Sequence, residues 1–116
     1  MEKLQNREII KHYLNCLKAY GLFAQMDVAI EELSECIKAI CKVKRLSRTV
    51  KGMVNQQAAD DRTKKQNRAY EELAGEIADV RIMLEQLELF LHLTDECEKQ
   101  YQDKIRRQME RLEHGK

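Results

Sequence analysis

The chain has no proline, and its four glycines (Gly21, Gly52, Gly75 and Gly115) are spread far apart. Turn-dense β folds need both residue types as punctuation, and no sustained apolar/polar alternation is present. Apolar runs reach only a few residues, too short for a membrane-spanning helix. The opening MEKLQNREII carries no signal-peptide core, so a cytoplasmic protein is expected. Histidine is scarce, and His12, His92 and His114 stand apart from the cysteines and from each other. Cys36 and Cys41 are spaced unlike a zinc ribbon or a redox pair. Cys16, Cys36, Cys41 and Cys97 are therefore expected to act as reduced, small hydrophobes, and a zinc site has little support.

What remains is an all-α composition. With 116 residues, 43% of them hydrophobic and 35% charged, the chain fits one soluble helical domain spanning 1–116. Apolar periodicity places a first helix over about Glu2 to Tyr20, with Gly21 as its stop, and a second over about Leu22 to Arg45. In the second, Met26, Ile30, Leu33, Ile37 and Ile40 form the main stripe. A third helix covers about Arg68 to Leu93 through Leu73, Ile77, Val80, Leu84, Leu87 and Leu91. Thr94 or Asp95, with Glu98, offers a capping box for the fourth. Between helices two and three, a connector at about 46–67 shows no sustained period and is expected to be a loop with one short helix at most.

Charge is unevenly placed. The net charge is +1, yet from Lys42 to Tyr70 nine Lys or Arg face only Asp60 and Asp61, a balance of +7. The rest of the chain therefore carries −6. Its acids cluster in IEELSECIKAI, with Glu31, Glu32 and Glu35, and in YEELAGEIADV, with Glu72, Glu76 and Asp79. Like charges at such helical spacing repel.

One account is a solvated face laced with ion pairs, which suits Arg81 and Glu85 at i,i+4. It suits Glu32, Glu35, Glu76 and Asp79 badly, because none has a cation one turn onward. Lys38 can reach Glu35, and Arg68 can reach Glu72. Beside these acids lie Val28, Ala39 and Val43 on helix two, and Met83 and Phe90 on helix three. They form a second, smaller apolar facet on each helix. A helix apolar on two sides is buried on two sides, and the second layer would come from another subunit. Carboxylates withdrawn from water need a counter-charge. A ligand set of oxygens alone points to Mg²⁺, or Mn²⁺, rather than zinc, and helices offering acids at i and i+3 can converge on a metal in a bundle. No Glu-x-x-His on these helices supports a di-iron centre.

Glu32-x-x-Glu35 followed by Glu76-x-x-Asp79, set in YGLFAQMDVAIEELSECIKAICKVKR and EIADVRIMLEQLELFL, resembles the MazG-like all-α nucleoside triphosphate pyrophosphohydrolases of phages and Gram-positive bacteria. The resemblance covers residues 20–45 and 71–93 well and KIRRQMERL loosely. It implies a four-helix MazG-like bundle completed by oligomerisation, as a homodimer or dimer of dimers. It also implies that Glu32, Glu35, Glu76 and Asp79 hold Mg²⁺ and that a nucleoside triphosphate is cut to monophosphate and pyrophosphate. Water would attack phosphorus in line, with a carboxylate such as Glu35 taking its proton. Lys42 and Arg45 match a basic pair that often follows the first motif, and Lys104 and Arg107 a weaker C-terminal one. For each, a solvated cation is the competing account. Gln25 is a candidate base or phosphate contact, against an ordinary exposed glutamine. Two departures stand out: the connector is longer than is typical, and Gly75 occupies a position often acidic.

Two rivals differ in class. One is a non-catalytic helical module that binds nucleic acid or an acidic partner through the basic connector. With no aromatics interleaved there, such binding would run through phosphates, and nucleic acid is not the expected partner. The other is a degenerate family member that keeps the fold without turnover.

Overall fold

A computed structural model describes residues 2–48 and 56–115. Among them there are four helices and no strand: α1 (Asn6–Tyr20), α2 (Leu22–Arg48), α3 (Gln56–Phe90) and α4 (Thr94–Glu113). No helix is long and apolar enough to cross a membrane among the described residues.

The body is an antiparallel hairpin of α2 and α3. Its register follows from three contacts: Gln25 meets Gln86, Lys42 meets Glu72, and Leu46 meets Arg62 and Gln66. As numbers rise along α2, they fall along α3. At ~1.5 Å per residue, the 35 residues of α3 account for most of the molecule's 55 Å longest dimension.

The connector departs most from expectation. α2 runs on to Arg48 and α3 begins at Gln56 rather than about Arg68, so most of 46–67 is helix. Residues 49–55, Gly52 among them, lie outside the described residues. QQAADDRTKKQN is rich in helix formers but carries no apolar stripe, which is why periodicity missed it. Its cations also have structural work. The Arg62 guanidinium donates to the carbonyl oxygens of Arg45 (3.2 Å) and Leu46 (3.1 Å), and Gln66 Nε2 donates to Leu46 O at 2.9 Å. These carbonyls belong to the last turn of α2, where helix carbonyls take partners from outside the helix. Arg62→Ala should therefore destabilise the protein by about 1–3 kcal/mol, the range for losing hydrogen bonds from a charged donor. Chemical denaturation would measure it, and a change below a few tenths of a kcal/mol would deny Arg62 this role.

The helix ends also differ in detail. α1 starts at Asn6 rather than near Glu2. Gly21 is the stop, as expected: its φ of +87° suits glycine, and its N–H donates to Leu17 O at 2.9 Å. The capping box of α4 does not form, since Leu93 is the N-cap and no side chain caps it. α3 instead ends with His92 at φ +56°, Leu93 N–H reaching back to Glu88 O (2.8 Å) and His92 N–H to Leu89 O (3.3 Å). That is the Schellman pattern, with histidine where glycine is usual.

The hairpin seam explains why α2 has two apolar facets. The withdrawn residues of α2 include a row through Gln25, Ala29, Glu32, Cys36, Ala39, Val43 and Leu46, with Leu22, Met26 and Lys42 also half-buried. The alternating steps of four and three match a coiled-coil seam. On α3 the same register runs through Ala69, Leu73, Glu76, Val80, Met83, Leu87 and Phe90. Ala29 and Ala69 are the most buried apolar side chains, at 2% and 1% exposure.

Ala39 and Val43 of the smaller facet thus pack within the chain, whereas Val28 is exposed. Most of the main stripe is left open: Ile30 is 66% exposed and Ile37 61%, with Leu33 and Ile40 also exposed, Met26 half-buried, and Phe23 on the same side 80% exposed. Tyr70, Ile77 and Leu84 form a similar exposed row on α3. At ~100° per residue, both rows lie about a quarter to a third of a turn from the seam. In antiparallel helices, that offset puts them on one side of the hairpin. α4 touches only α3 and buries no residue, so the single chain is a hairpin with α1 laid against it rather than a closed bundle.

α1 is anchored through Tyr13, whose buried hydroxyl donates to Glu85 Oε1 at 2.7 Å. Burial first, and then this bond to a carboxylate, push the Tyr13 phenol up to about 12. Arg81 holds the other oxygen of Glu85 at 3.2 Å. The expected i,i+4 pair is therefore present, but Glu85 is half-buried against α1 rather than on an outer face.

Candidate metal centre

Glu32 and Glu76 occupy seam positions that apolar residues fill elsewhere in the hairpin, Gln25 excepted. The next turn of α3 adds Asp79. One carboxylate oxygen from each of the three lies within 4.8 Å of the other two. Glu32 and Glu76 are half-buried and Asp79 is exposed. This is the edge of the hairpin opposite the apolar rows.

The electrostatics are those of an uncompensated cluster. Partial burial is the first cause that raises the Glu32 carboxyl above the ordinary range; the charges of Asp79, Glu76, Glu31 and Glu35 follow. Glu76 Oε2 is a buried oxygen without a hydrogen-bond partner among the described residues, a position that most buried polar atoms avoid. Both features fit a hard cation that takes oxygen ligands.

A pH dependence follows for the metal-free protein. The folded state holds the Glu32 proton more tightly than the unfolded chain does. Between the ordinary carboxylate range and the raised folded value, it therefore binds more protons, and stability falls as pH rises through that window. Glu32→Gln removes the effect. With a chelator present, the melting temperature of this variant should gain on the parent's as pH rises from about 4 to 7. A constant difference would mean that Glu32 is not under this strain.

Of the four predicted ligands, three come together and Glu35 does not join them. Glu35 is exposed, and Lys38 Nζ lies 3.5 Å from its Oε1, as the i,i+3 spacing suggested. It lines a neighbouring cleft of about 210 Å³ with Lys38, Ala39, Lys42, Glu72 and Glu76. Glu76 thus belongs to both the triad and the cleft. Glu72 takes Lys42 as its partner, at 2.9 Å, rather than the Arg68 that its helix offers.

The other candidates divide. Gln25 is not an exposed glutamine: it is buried, and its Nε2 donates at 2.7 Å to Oε1 of Gln86, itself 2% exposed. Sequence reading missed Gln86, whose only signal was a polar residue beside the α3 seam. Arg45 is exposed, and its carbonyl receives Arg62. Lys104 and Arg107, with Gln108 and Arg111, line a shallow depression on α4 itself rather than the acidic cleft.

The four cysteines are free. His12 is not isolated from them, since its Nε2 lies 3.6 Å from Cys16 Sγ one turn away on α1. Two donors do not make a zinc site, and the acidic triad is the one metal-competent cluster among the described residues.

Comparison with known protein families, characterised proteins and solved structures gives no match for this chain.

Proposed function

We propose that this protein is a Mg²⁺-dependent nucleoside triphosphate pyrophosphohydrolase of MazG-like type, working as a homo-oligomer. One observation carries the reading. Glu32 and Glu76 stand across the hairpin seam with Asp79 beside them, no cation is paired to any of the three among the described residues, and a buried oxygen of Glu76 lacks a partner. Unpaired buried carboxylates are costly, and a hydrophobic pair would serve the seam better unless the acids have a ligand.

Glu32, Glu76 and Asp79 would hold the cation, Mg²⁺ or Mn²⁺. Bound there, it supplies positive charge for the triphosphate oxygens. Glu35, outside the triad but in the adjoining cleft, would accept a proton from the attacking water. Lys42 and Lys38, on that cleft's rim, would bind phosphates. The basic-connector reading is weakened because Arg62 is committed to α2 carbonyls.

The test is a panel of canonical and modified nucleoside triphosphates with Mg²⁺, assayed for pyrophosphate release. At least one should be cleaved by the parent, and none at a comparable rate by Glu76→Gln. Equal release by both would refute the assignment.

A further inference from the structure

Lys42–Glu72 is the only ion pair between two different helices among the described residues. Lys42 Nζ lies 2.9 Å from Glu72 Oε2, and both side chains are about half exposed. The pair sits on the rim of the cleft that shares Glu76 with the acidic triad. Lys38, one turn from Lys42, is likewise held by a carboxylate of that cleft, Glu35.

Each ammonium group is therefore occupied by an acid that a phosphate could displace. We propose that Glu72 is a placeholder counter-ion. It holds Lys42 at the rim of the cleft and competes with polyphosphate for that ammonium. The inference rests on the cleft being a polyphosphate seat, as in the function proposed above.

The chemistry favours exchange. An exposed carboxylate–ammonium pair in water is held weakly and is screened by salt. A tripolyphosphate carries several charges and many acceptor oxygens, so it gains more from the same ammonium than one carboxylate does. Glu72 thus lowers affinity for the polyphosphate while holding Lys42 at the cleft.

Binding of inorganic tripolyphosphate in the presence of Mg²⁺, followed by calorimetry on the full chain, separates this idea from turnover. Glu72→Gln should bind about two- to fivefold more tightly than the parent, the range for releasing one exposed ion pair. Lys42→Ala should bind more weakly, and adding Glu72→Gln to it should restore nothing. Glu71→Gln removes the same charge one residue away, outside the cleft, and should change little.

Weaker binding by Glu72→Gln would mean that Glu72 positions Lys42 rather than competing for it. An equal gain from Glu71→Gln, or a gain that persists without Lys42, would reduce the effect to general charge. No binding by the parent would also overturn the proposal. If these binding differences appear but no nucleoside triphosphate is cleaved, the placeholder role stands and the catalytic reading fails.

Discussion

Glu76→Gln is expected to reduce Mg²⁺-dependent pyrophosphate release by at least ~100-fold, the upper end of what changes behind a metal ligand cost. The substitution keeps shape and volume but removes the charge at the one position shared by the triad and the lysine-rimmed cleft. Asp79→Asn should act similarly. Combining the two should cost little more than either alone, because residues acting through one centre are non-additive.

Stability gives an independent readout. If Mg²⁺ binds the folded triad as proposed, it should raise the parent's melting temperature by mass action and barely move that of Glu76→Gln. Without metal, the variant should be as stable as the parent or slightly more so, since a repelling carboxylate has left the seam. If metal-free Glu76→Gln is clearly weaker than metal-free parent, Glu76 is a structural residue and the centre must be assigned elsewhere. Glu85→Gln is no neutral control here, because its single amide oxygen could accept from Tyr13 or from Arg81 but not from both.

The acids that converge are three of the four expected, and the stretches of α2 and α3 that carry them are helical as apolar periodicity placed them. Helical spacing put each pair of acids on neighbouring turns but did not decide which of them meet. Glu35 stands to Glu32 as Asp79 stands to Glu76, about 60° around the helix, yet only Asp79 joins the triad, and Glu35 meets Lys38. Which facet of α2 packs on α3 was not legible. Met26, Ile30, Leu33 and Ile37 dominate any hydrophobic pattern, whereas the seam is built on Ala29, Ala39 and Ala69, whose small side chains weigh little.

Close helix approach decides in favour of the alanines, and no single-helix pattern records it. The start of α3 escaped for the opposite reason. Its first turns are held by propensity and by Arg62 and Gln66 reaching across to α2 carbonyls, a contact between residues far apart in sequence. Gln25 and Gln86 likewise became a buried pair only once the antiparallel register joined them.

Ile37→Glu should dissociate the assembly that the open apolar rows imply. Phe23, Ile30, Ile37 and Ile40 on α2, with Tyr70, Ile77 and Leu84 on α3, are all more than two-fifths exposed in the single chain. A continuous apolar face of this kind is rare on monomers and marks an interaction surface. A second copy is the simplest cover: a two-fold axis brings the same rows together, leaving the acidic edges facing outward.

Burying an isoleucine is worth about 1.5–3 kcal/mol, and two-fold symmetry counts each substitution twice. The loss of roughly 3–6 kcal/mol corresponds to a dissociation constant weakened by on the order of a hundred- to ten-thousand-fold, before any penalty for burying the new charge. The parent should scatter light as a dimer or dimer of dimers at micromolar concentration, and Ile37→Glu as a monomer with a lower melting temperature. Leu112→Glu, at the exposed end of α4, tests whether that helix shares the interface: an unchanged mass would confine it to α2 and α3. A parent that is already monodisperse as a monomer would leave the apolar face to another partner and remove the homo-oligomer from the proposed function.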